Sequence, residues 1–303
     1  MVNPGSRIEQ WQAELAAQMP HEEVWFWPEI GDPAEVEYLI AWVMSRKDLA
    51  TFTNLKAVLC QGAGTEQWQK PGIDLPVVRL ADPEMANEMA AYALAWVIRH
   101  QRGFARAEQT QRVGEWTVPE HKQPYEYRVG VLGYGEIGSR ICRAFADLGY
   151  AVNAWSRSGR NEPGVQHFAG TEQLEDFLAS SDAVINVLPS TDATAGLLTA
   201  ERFGQFVEGA IFVNVGRGTV IADEADLITA LDTGPLAAAV LDVTNPEPPE
   251  PDSPLYTHPN VTLTAHLSGM TQIRSAAALI AANIARMRNG EEPFPLLDRT
   301  RGY

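Results

Sequence analysis

The chain reads RVGVLGYGEIGSRICRAFADL from Arg128 to Leu148, which sets a glycine-rich loop between a strand-like run and a helix-like run. The apolar run Arg128–Leu132 predicts a short buried strand, and the residues after the loop predict a helix. In this context Gly133 permits a tight turn, Gly135 lets the backbone approach a pyrophosphate, and Gly138 lets the helix pack against the strand. The stretch therefore predicts a dinucleotide-binding βαβ unit whose helix N-terminus faces the anion.

Further apolar runs follow this unit and alternate with helical segments. They are nearly continuous rather than alternating, as is typical of parallel strands that are buried on both faces. The pattern predicts a doubly wound α/β domain. The candidate strands are Arg128–Leu132, Ala151–Trp155, Ala183–Val187, Ile211–Val215, Ala237–Leu241 and Val261–Thr264.

The first quarter of the chain and its end show a second set of α/β elements. Short apolar runs bounded by turn residues predict strands, and longer amphipathic runs predict helices. The predicted strands are Val24–Trp27, Tyr38–Val43, Lys56–Leu59 and Pro76–Leu80, and the predicted helices are Gln10–Gln18, Pro83–Glu108 and Thr271–Met287.

The end of the second Rossmann strand predicts which dinucleotide binds. An NAD site usually has a carboxylate there to accept from the ribose hydroxyl, whereas this chain has Ser156, Arg157 and Ser158 after Trp155. An arginine can pair with a 2′-phosphate, and two hydroxyls can donate to it. We therefore predict NADP(H); the alternative is that Arg157 is a solvated loop residue and either dinucleotide binds.

Charged residues follow three strands of this predicted sheet. Arg217 follows Ile211–Val215, Asp242 and Glu247 follow the next strand, and His266 follows the last. Because the carboxyl ends of parallel strands share one edge, these side chains are expected at the rim where ligands bind.

The chemistry of these residue types fits the reduction of a 2-oxo acid. His266 could donate the proton that the developing oxyanion needs, and Glu247 could hold the imidazole and favour its protonated form. Arg217 could bind the carboxylate and polarise the carbonyl through its donor fork. Asp242 is expected to orient the cofactor or the site. Each residue could also be structural, and their joint placement at one edge favours the catalytic interpretation.

Composition limits the class of protein. The 303 residues allow two domains, and the formal net charge of −16 disfavours nucleic-acid and anionic-membrane partners. Cys60 and Cys142 are too few for a disulfide framework, and Met1–Gln10 lacks the apolar segment of a secretory signal. We expect a cytoplasmic protein without a metal site.

Taken in order, these motifs resemble the D-isomer-specific 2-hydroxyacid dehydrogenase family over nearly the whole chain. Beyond the glycine loop, the resemblance rests on Leu188-Pro189 followed by Thr191 and Thr194, Asn214–Gly218, Leu241–Val243 with Glu247-Pro248, Thr264–His266, and Arg301–Tyr303. Within the family, Trp155–Ser158 and the tail Asp298–Tyr303 are most similar to the bacterial glyoxylate/hydroxypyruvate reductase A group.

The resemblance implies a fold, an activity and a set of residues. It implies two Rossmann-like doubly wound domains: a flavodoxin-like substrate domain from both chain ends (1–98 and 270–303) and an inserted dinucleotide-binding domain (99–269). The implied activity is NADPH-dependent reduction of glyoxylate or hydroxypyruvate by a homodimer.

The implied site residues fall into three groups. The catalytic residues are Arg217, Glu247 and His266. The cofactor-binding residues are Gly133, Tyr134, Gly135, Glu136, Ile137, Gly138, Ser156, Arg157, Ser158, Leu188, Pro189, Thr194, Val215, Gly216, Arg217 and Asp242. The substrate-binding residues are Trp42, Ala63, Gly64, Arg217 and His266, with backbone amides of Gln61–Gly64 holding the carboxylate.

Two alternatives stay open at this point. One is an NADH-dependent dehydrogenase of another 2-hydroxy acid; the other is a non-catalytic dinucleotide-sensing scaffold, since the same fold serves both. The chain also departs from the family at Ala265, where proline is usual, and at Gln272, near which the closest group tends to carry arginine. These departures concern the choice of substrate more than the type of reaction.

Overall fold

The computed structural model describes residues 1–3, 5, 7–69, 73–160 and 162–303. They form two units, one comprising Met1–Met85 with Thr271–Tyr303 and the other Ala86–Met270. This division lies inside the long helix after the first sheet, whereas the sequence analysis placed it near residue 98. Which unit binds the substrate and which the cofactor stays a prediction.

Helices and strands alternate along both units. The helices are α1 (Ile8–Gln18), α2 (Arg46–Leu49), α3 (Pro83–Gln101), α4 (Phe104–Arg112), α5 (Glu136–Asp147), α6 (Leu174–Leu178), α7 (Ala200–Phe203), α8 (Glu224–Asp232) and α9 (Ile273–Arg288). The strands are β1 (Val2–Asn3), β2 (Tyr38–Ala41), β3 (Ala57–Cys60), β4 (Val77–Val78), β5 (Arg128–Leu132), β6 (Ala151–Ser156), β7 (Val165–Ala169), β8 (Ala183–Asn186), β9 (Ala210–Asn214), β10 (Leu236–Leu241) and β11 (Val261–Leu263).

The unit formed by the two chain ends is built on a parallel sheet with the strand order β1-β2-β3-β4. Phe26 forms a parallel bridge to Val2 at the outer side of β1. Counted in chain order with the Phe26 segment, the sheet therefore has the order 2-1-3-4-5, which is the flavodoxin-like arrangement. β2 and β3 are buried throughout, which explains their uninterrupted apolar sequences.

The second unit is a seven-stranded parallel sheet with the order β11-β10-β9-β8-β5-β6-β7. When β5 to β10 are counted as strands 1 to 6 and the sheet is read from β7, they have the Rossmann order 3-2-1-4-5-6. The order reverses between β5 and β8. Ligands bind outside the carboxyl ends of the strands at such a switch point. The predicted doubly wound α/β fold is confirmed.

Several predicted elements were wrong in extent. Val24–Trp27 contributes only the bridge at Phe26, and the predicted helix Pro83–Glu108 is two helices separated at Gly103, whose φ is +66°. The edge strand β7 and the two-residue strand β1 were missed. β7 carries Gln166 and His167 among its apolar residues and has few buried positions, so it lacks the signal of the central strands.

The described residues include no helix that is both long and apolar enough to cross a membrane. Both cysteines are buried and unpaired.

Candidate active site

The glycine loop after β5 has the geometry of a phosphate cradle. Gly133 has a φ of +114°, which favours glycine, and a Cβ on Gly138 would lie 1.9 Å from the carbonyl oxygen of Gly133. A Cβ on Gly135 would meet no atom within 4 Å, so the loop leaves open space in front of the N-terminus of α5. The first amides of α5 can therefore meet an anion.

The other loop residues differ in their surroundings. Tyr134 is buried against His167, with ring centroids 4.6 Å apart, and its hydroxyl donates to Glu162. Glu136 and Ile137 begin α5. Burial raises the pKa of Tyr134 above its usual range, and its bond to Glu162 raises it further, so the phenol stays protonated.

The end of β6 has an unused hydrogen-bonding group. Within the described part of the chain, the buried Oγ of Ser156 has no hydrogen-bond partner. Arg157 and Ser158 follow it and are exposed. A buried hydroxyl without a partner is uncommon, so this position fits a ligand with acceptor oxygens.

Two buried asparagines brace the loops after β8 and β9, a contact that the sequence did not predict. Asn186 donates to Asn214 (2.8 Å between Nδ2 and Oδ1), and its own Oδ1 accepts from the amide of Leu188. Asn214 accepts from the amide of Gly216 and donates to the carbonyl of Arg217. Each asparagine ends an apolar strand, and that polar ending was the available signal.

The residues predicted after β8 and β9 lie around this brace. A Cβ on Gly216 would lie 2.7 Å from the carbonyl oxygen of Leu188, so the two loops touch. Thr194 donates to the carbonyl of Pro189 (2.6 Å), which closes the loop after β8. The amide of Val215 donates to the carbonyl of Asn186.

Arg217 begins the loop that approaches the connection after β10. Its Nη1 donates to the carbonyl of Gly216 (2.7 Å). Gly218 lies so close to this connection that a Cβ would be 2.0 Å from the carbonyl carbon of Thr244. Only glycine fits there, and the contact brings the chain of Arg217 to the segment that carries Glu247.

His266 and Glu247 form a hydrogen-bonded pair. The distance between His266 Nδ1 and Glu247 Oε1 is 2.6 Å, and both side chains are partly exposed, at 44% and 42%. With Nδ1 held by the carboxylate, Nε2 is the ring nitrogen left to face a substrate. The two residues therefore have the arrangement of an acid–base histidine and its orienting carboxylate.

Asp242 clamps the turn on which His266 lies. Its carboxylate accepts from the amides of Leu267 (2.8 Å) and Ser268 (2.9 Å) and from Thr264 Oγ1 (2.6 Å). Its carbonyl accepts from the amide of His266. Burial alone would raise the pKa of Asp242, but the hydrogen bonds from Ser268, Thr264 and Leu267 outweigh it and hold the pKa below its usual value. The group is thus a fixed anion.

Tyr92 extends this clamp and was not predicted. Its hydroxyl lies 2.7 Å from Thr264 Oγ1, which itself donates to Asp242. Burial raises the pKa of Tyr92 to about 12, so the phenol keeps its proton and can donate to the threonine. The two partners are 172 positions apart in the sequence, which hides this contact from sequence patterns.

The predicted substrate residues of the other unit form a group of their own. Trp42 is 42% exposed and lies over Gly62, where a Cβ would be 2.6 Å from the indole. Gln61 Oε1 accepts from the amide of Trp42, and the carbonyl of Gln61 accepts from Thr271 Oγ1. Ala63 and Gly64 follow in the same loop, at the carboxyl end of β3.

No set of three His, Cys, Asp or Glu side chains within the described ranges could hold a metal ion.

Known protein families include one whose model matches this chain. A family model for the D-isomer specific 2-hydroxyacid dehydrogenase NAD binding domain matches residues 94–268. A curated glyoxylate/hydroxypyruvate reductase A from Serratia proteamaculans (strain 568) is 35% identical to this chain, over 99% of this chain and 98% of that protein.

Solved structures are similar over the whole length. A D-isomer specific 2-hydroxyacid dehydrogenase from Xanthobacter autotrophicus Py2, in complex with NADPH and MES, is 39% identical with a TM-score of 0.95. An NADPH-dependent glyoxylate/hydroxypyruvate reductase from Sinorhizobium meliloti, in complex with NADP and sulfate, is 29% identical with a TM-score of 0.93. Each alignment covers 100% of this chain and 98% of the other. The chain belongs to the D-isomer specific 2-hydroxyacid dehydrogenase family.

Proposed function

We propose that the protein reduces small 2-oxo acids, glyoxylate and hydroxypyruvate, to 2-hydroxy acids with NADPH. The observation that carries the proposal is the His266–Glu247 pair. Both residues follow strands of the second sheet, and the β5–α5 loop of the same sheet forms the cradle. The 35% identity to a glyoxylate/hydroxypyruvate reductase A supports the choice of substrates.

NADPH fits the residues of the second unit. The open space before Gly135 suits a pyrophosphate, and the partnerless Oγ of Ser156, with Arg157 and Ser158 beside it, suits a 2′-phosphate. Solved relatives in complex with NADPH and with NADP support the same choice. When bound, the reduced nicotinamide supplies a hydride to the carbonyl carbon of the substrate.

The side chains of this chain have separate roles in that reaction. His266 Nε2 donates a proton to the carbonyl oxygen as negative charge develops there, while Glu247 holds Nδ1 and stabilises the charged ring. Arg217 binds the substrate carboxylate and polarises the carbonyl. Asp242 keeps the turn of His266 in place.

The unit that contains both chain ends is proposed to bind the substrate. Backbone amides at Ala63 and Gly64 would hold the carboxylate, and the exposed indole of Trp42 would line the pocket. The resemblance implies this role for 1–98 with 270–303 and the cofactor role for 99–269, whereas the units of the structure divide between Met85 and Ala86 and between Met270 and Thr271.

We further propose that the protein is a cytoplasmic homodimer. Among the described large apolar side chains that are at least 70% exposed, all but Phe294 fall in the stretch 104–125, and they include Trp116 at 98%, Val118 at 84% and Val113 at 70%. Apolar side chains that cluster on a surface favour association, and a second copy would cover them.

The test of the activity is an assay of cofactor absorbance with purified protein, glyoxylate or hydroxypyruvate, and NADPH or NADH. We expect oxidation of NADPH with both acids and a lower kcat/KM with NADH. Activity with NADH alone would contradict the assignment at Ser156–Ser158 and leave the catalytic residues unaffected. Absence of turnover with a wider set of 2-oxo acids would favour the scaffold alternative.

A further inference from the structure

Arg79 is a cation at the carboxyl edge of the first sheet that the proposed reaction does not yet use. It directly follows β4, and β4 pairs with β3, whose end leads into the loop Gln61–Gly64. Its charge acts at the end of β3: burial raises the pKa of Cys60 to about 12, Arg79 opposes that shift, and the more weakly acting Glu66 adds to it. Arg79 thus lies beside the loop that is proposed to hold the substrate carboxylate.

The guanidinium of Arg79 keeps a donor unused among the residues that the structure describes. Its buried Nε has no hydrogen-bond acceptor. Its contact is with an aromatic face, since Cζ lies 5.9 Å from the ring centroid of Tyr303.

Two buried donors of the same unit also have no acceptor within the described ranges. They are Nε2 of Gln61, which follows β3 and is 7% exposed, and Nε1 of Trp68, which is 1% exposed. Trp68 packs in the same core cluster as Cys60 and Val77, the residues that border Arg79 along β3 and β4. Leaving a buried donor without an acceptor is costly, and here all the unused groups are donors.

We propose that Arg79, supported by the donors of Gln61 and Trp68, binds an oxygen-bearing group on C3 of the substrate and so determines substrate specificity. The inference rests on the proposed function, in which Ala63, Gly64 and Arg217 hold the carboxylate and the 2-oxo group. A guanidinium favours a carboxylate on C3 over a hydroxyl, and either over a methyl group.

Four substrates that differ at C3 test this role. Glyoxylate has no C3, pyruvate has a methyl group, hydroxypyruvate has a hydroxyl, and oxaloacetate has a carboxylate on C3. In Arg79→Gln we expect kcat/KM to fall by about 10- to 100-fold for oxaloacetate and hydroxypyruvate, because a charge-assisted hydrogen bond is lost. For glyoxylate and pyruvate we expect a change of less than about threefold.

Two further variants separate binding from folding. Arg79→Lys keeps the charge without the fork, so its loss should be smaller and should fall on the same two substrates. Arg46→Gln removes an exposed arginine of the same unit and should leave all four values unchanged. An equal loss for all four substrates in Arg79→Gln, or no loss for any, would overturn the proposal.

A binding measurement keeps this inference separate from the proposed activity. Malate and lactate differ by the carboxylate on C3 and are not reduced, so calorimetry with the NADPH-loaded protein reports binding alone. We expect the wild type to bind malate more tightly than lactate by about tenfold, and Arg79→Gln to lose that preference. Equal binding of the two acids by the wild type contradicts the role of Arg79 even where reduction of glyoxylate succeeds. If the wild type prefers malate as expected but reduces none of the 2-oxo acids, the role of Arg79 is retained and the proposed activity is rejected.

Discussion

His266 adopts a left-handed backbone conformation, with a φ of 51°, that few residues other than glycine adopt. Such a conformation costs about 1–2 kcal/mol and has to be held by its surroundings. The amide of His266 donates to the carbonyl of Asp242, and the next two amides donate to its carboxylate. The histidine is therefore fixed by its own backbone as well as by Glu247, which suits a proton donor that has to meet one atom of the substrate.

Substitutions of the pair test its proposed role. His266→Ala should lower kcat by about 10²- to 10⁴-fold, because the proton donor is lost. Glu247→Gln should lower it less, by about 10- to 100-fold, because a neutral amide still contacts Nδ1 but does not stabilise the charged ring. Steady-state kinetics with glyoxylate give both values.

The control for this pair is the affinity for NADPH, measured by fluorescence titration, which should stay within about threefold of wild type in both variants. Turnover at the wild-type rate in His266→Ala would rule out the acid–base role of the residue.

At the scale of elements, the strands that bring the site together were the most predictable from the sequence. Arg128–Leu132 forms a strand with the predicted bounds because both its faces are buried. The same apolar runs predicted where the strands end. They therefore also predicted that Arg217, Glu247 and His266 follow the ends of their strands.

Contacts that depend on distant parts of the chain were not predictable. Tyr92 on α3 reaches Thr264, and Asn186 reaches Asn214 across neighbouring strands. No local periodicity encodes which polar residues meet in this way, since tertiary packing selects the partners. Arg79 was missed because a lone arginine after a two-residue strand has no sequence signature.

The start of the Rossmann sheet depends on a buried carboxylate. Asp182, whose side chain is 7% exposed, accepts from Lys122 Nζ (2.6 Å) and from the amide of Arg128 (2.8 Å), and so joins the beginnings of β5 and β8. Burial would raise the pKa of Asp182, but these hydrogen bonds outweigh it and lower the pKa below its ordinary value of 3.8.

Because the folded-state pKa of Asp182 is depressed, its contribution to stability is fully present above the ordinary value and is lost as the pH falls through the folded value. Asp182→Asn should lower the free energy of unfolding by about 1–3 kcal/mol at about pH 7. The difference from wild type should shrink below pH 3.8. Urea titrations followed by circular dichroism at several pH values measure both effects.

An exposed carboxylate provides the control for Asp182. Asp232 pairs with His258 and is 60% exposed, so Asp232→Asn should change the free energy of unfolding by less than about 1 kcal/mol. A difference between Asp182→Asn and wild type that does not depend on pH would show that the carboxylate charge is not what stabilises the sheet.

At the scale of the whole molecule, the net charge of −16 opposes both an anionic substrate and association of two copies. The arginines proposed to meet anions, Arg79, Arg157 and Arg217, all follow strands at carboxyl edges. Local cations can thus attract the cofactor and the substrate where the overall field repels them. Apolar contact has to overcome the same repulsion when two copies associate.

The exposed apolar stretch 104–125 gives a test of the homodimer. Light scattering after size-exclusion chromatography should give twice the monomer mass for the wild type. In Trp116→Ser combined with Val118→Ser the dissociation constant should rise by about 100-fold, because two of the most exposed apolar side chains are removed. Phe294→Ser removes a side chain that is 74% exposed outside this stretch and should leave the dimer intact.

Salt distinguishes this interface from one held by ion pairs. Two copies with a net charge of −16 repel each other, and added salt screens that repulsion, so the wild-type dimer should become tighter as ionic strength rises. An interface held by ion pairs would weaken under the same conditions. A wild type that is monomeric at micromolar concentrations in both low and high salt would contradict the dimer. A dimer lost in Phe294→Ser and retained in the double variant would locate the interface on the other unit.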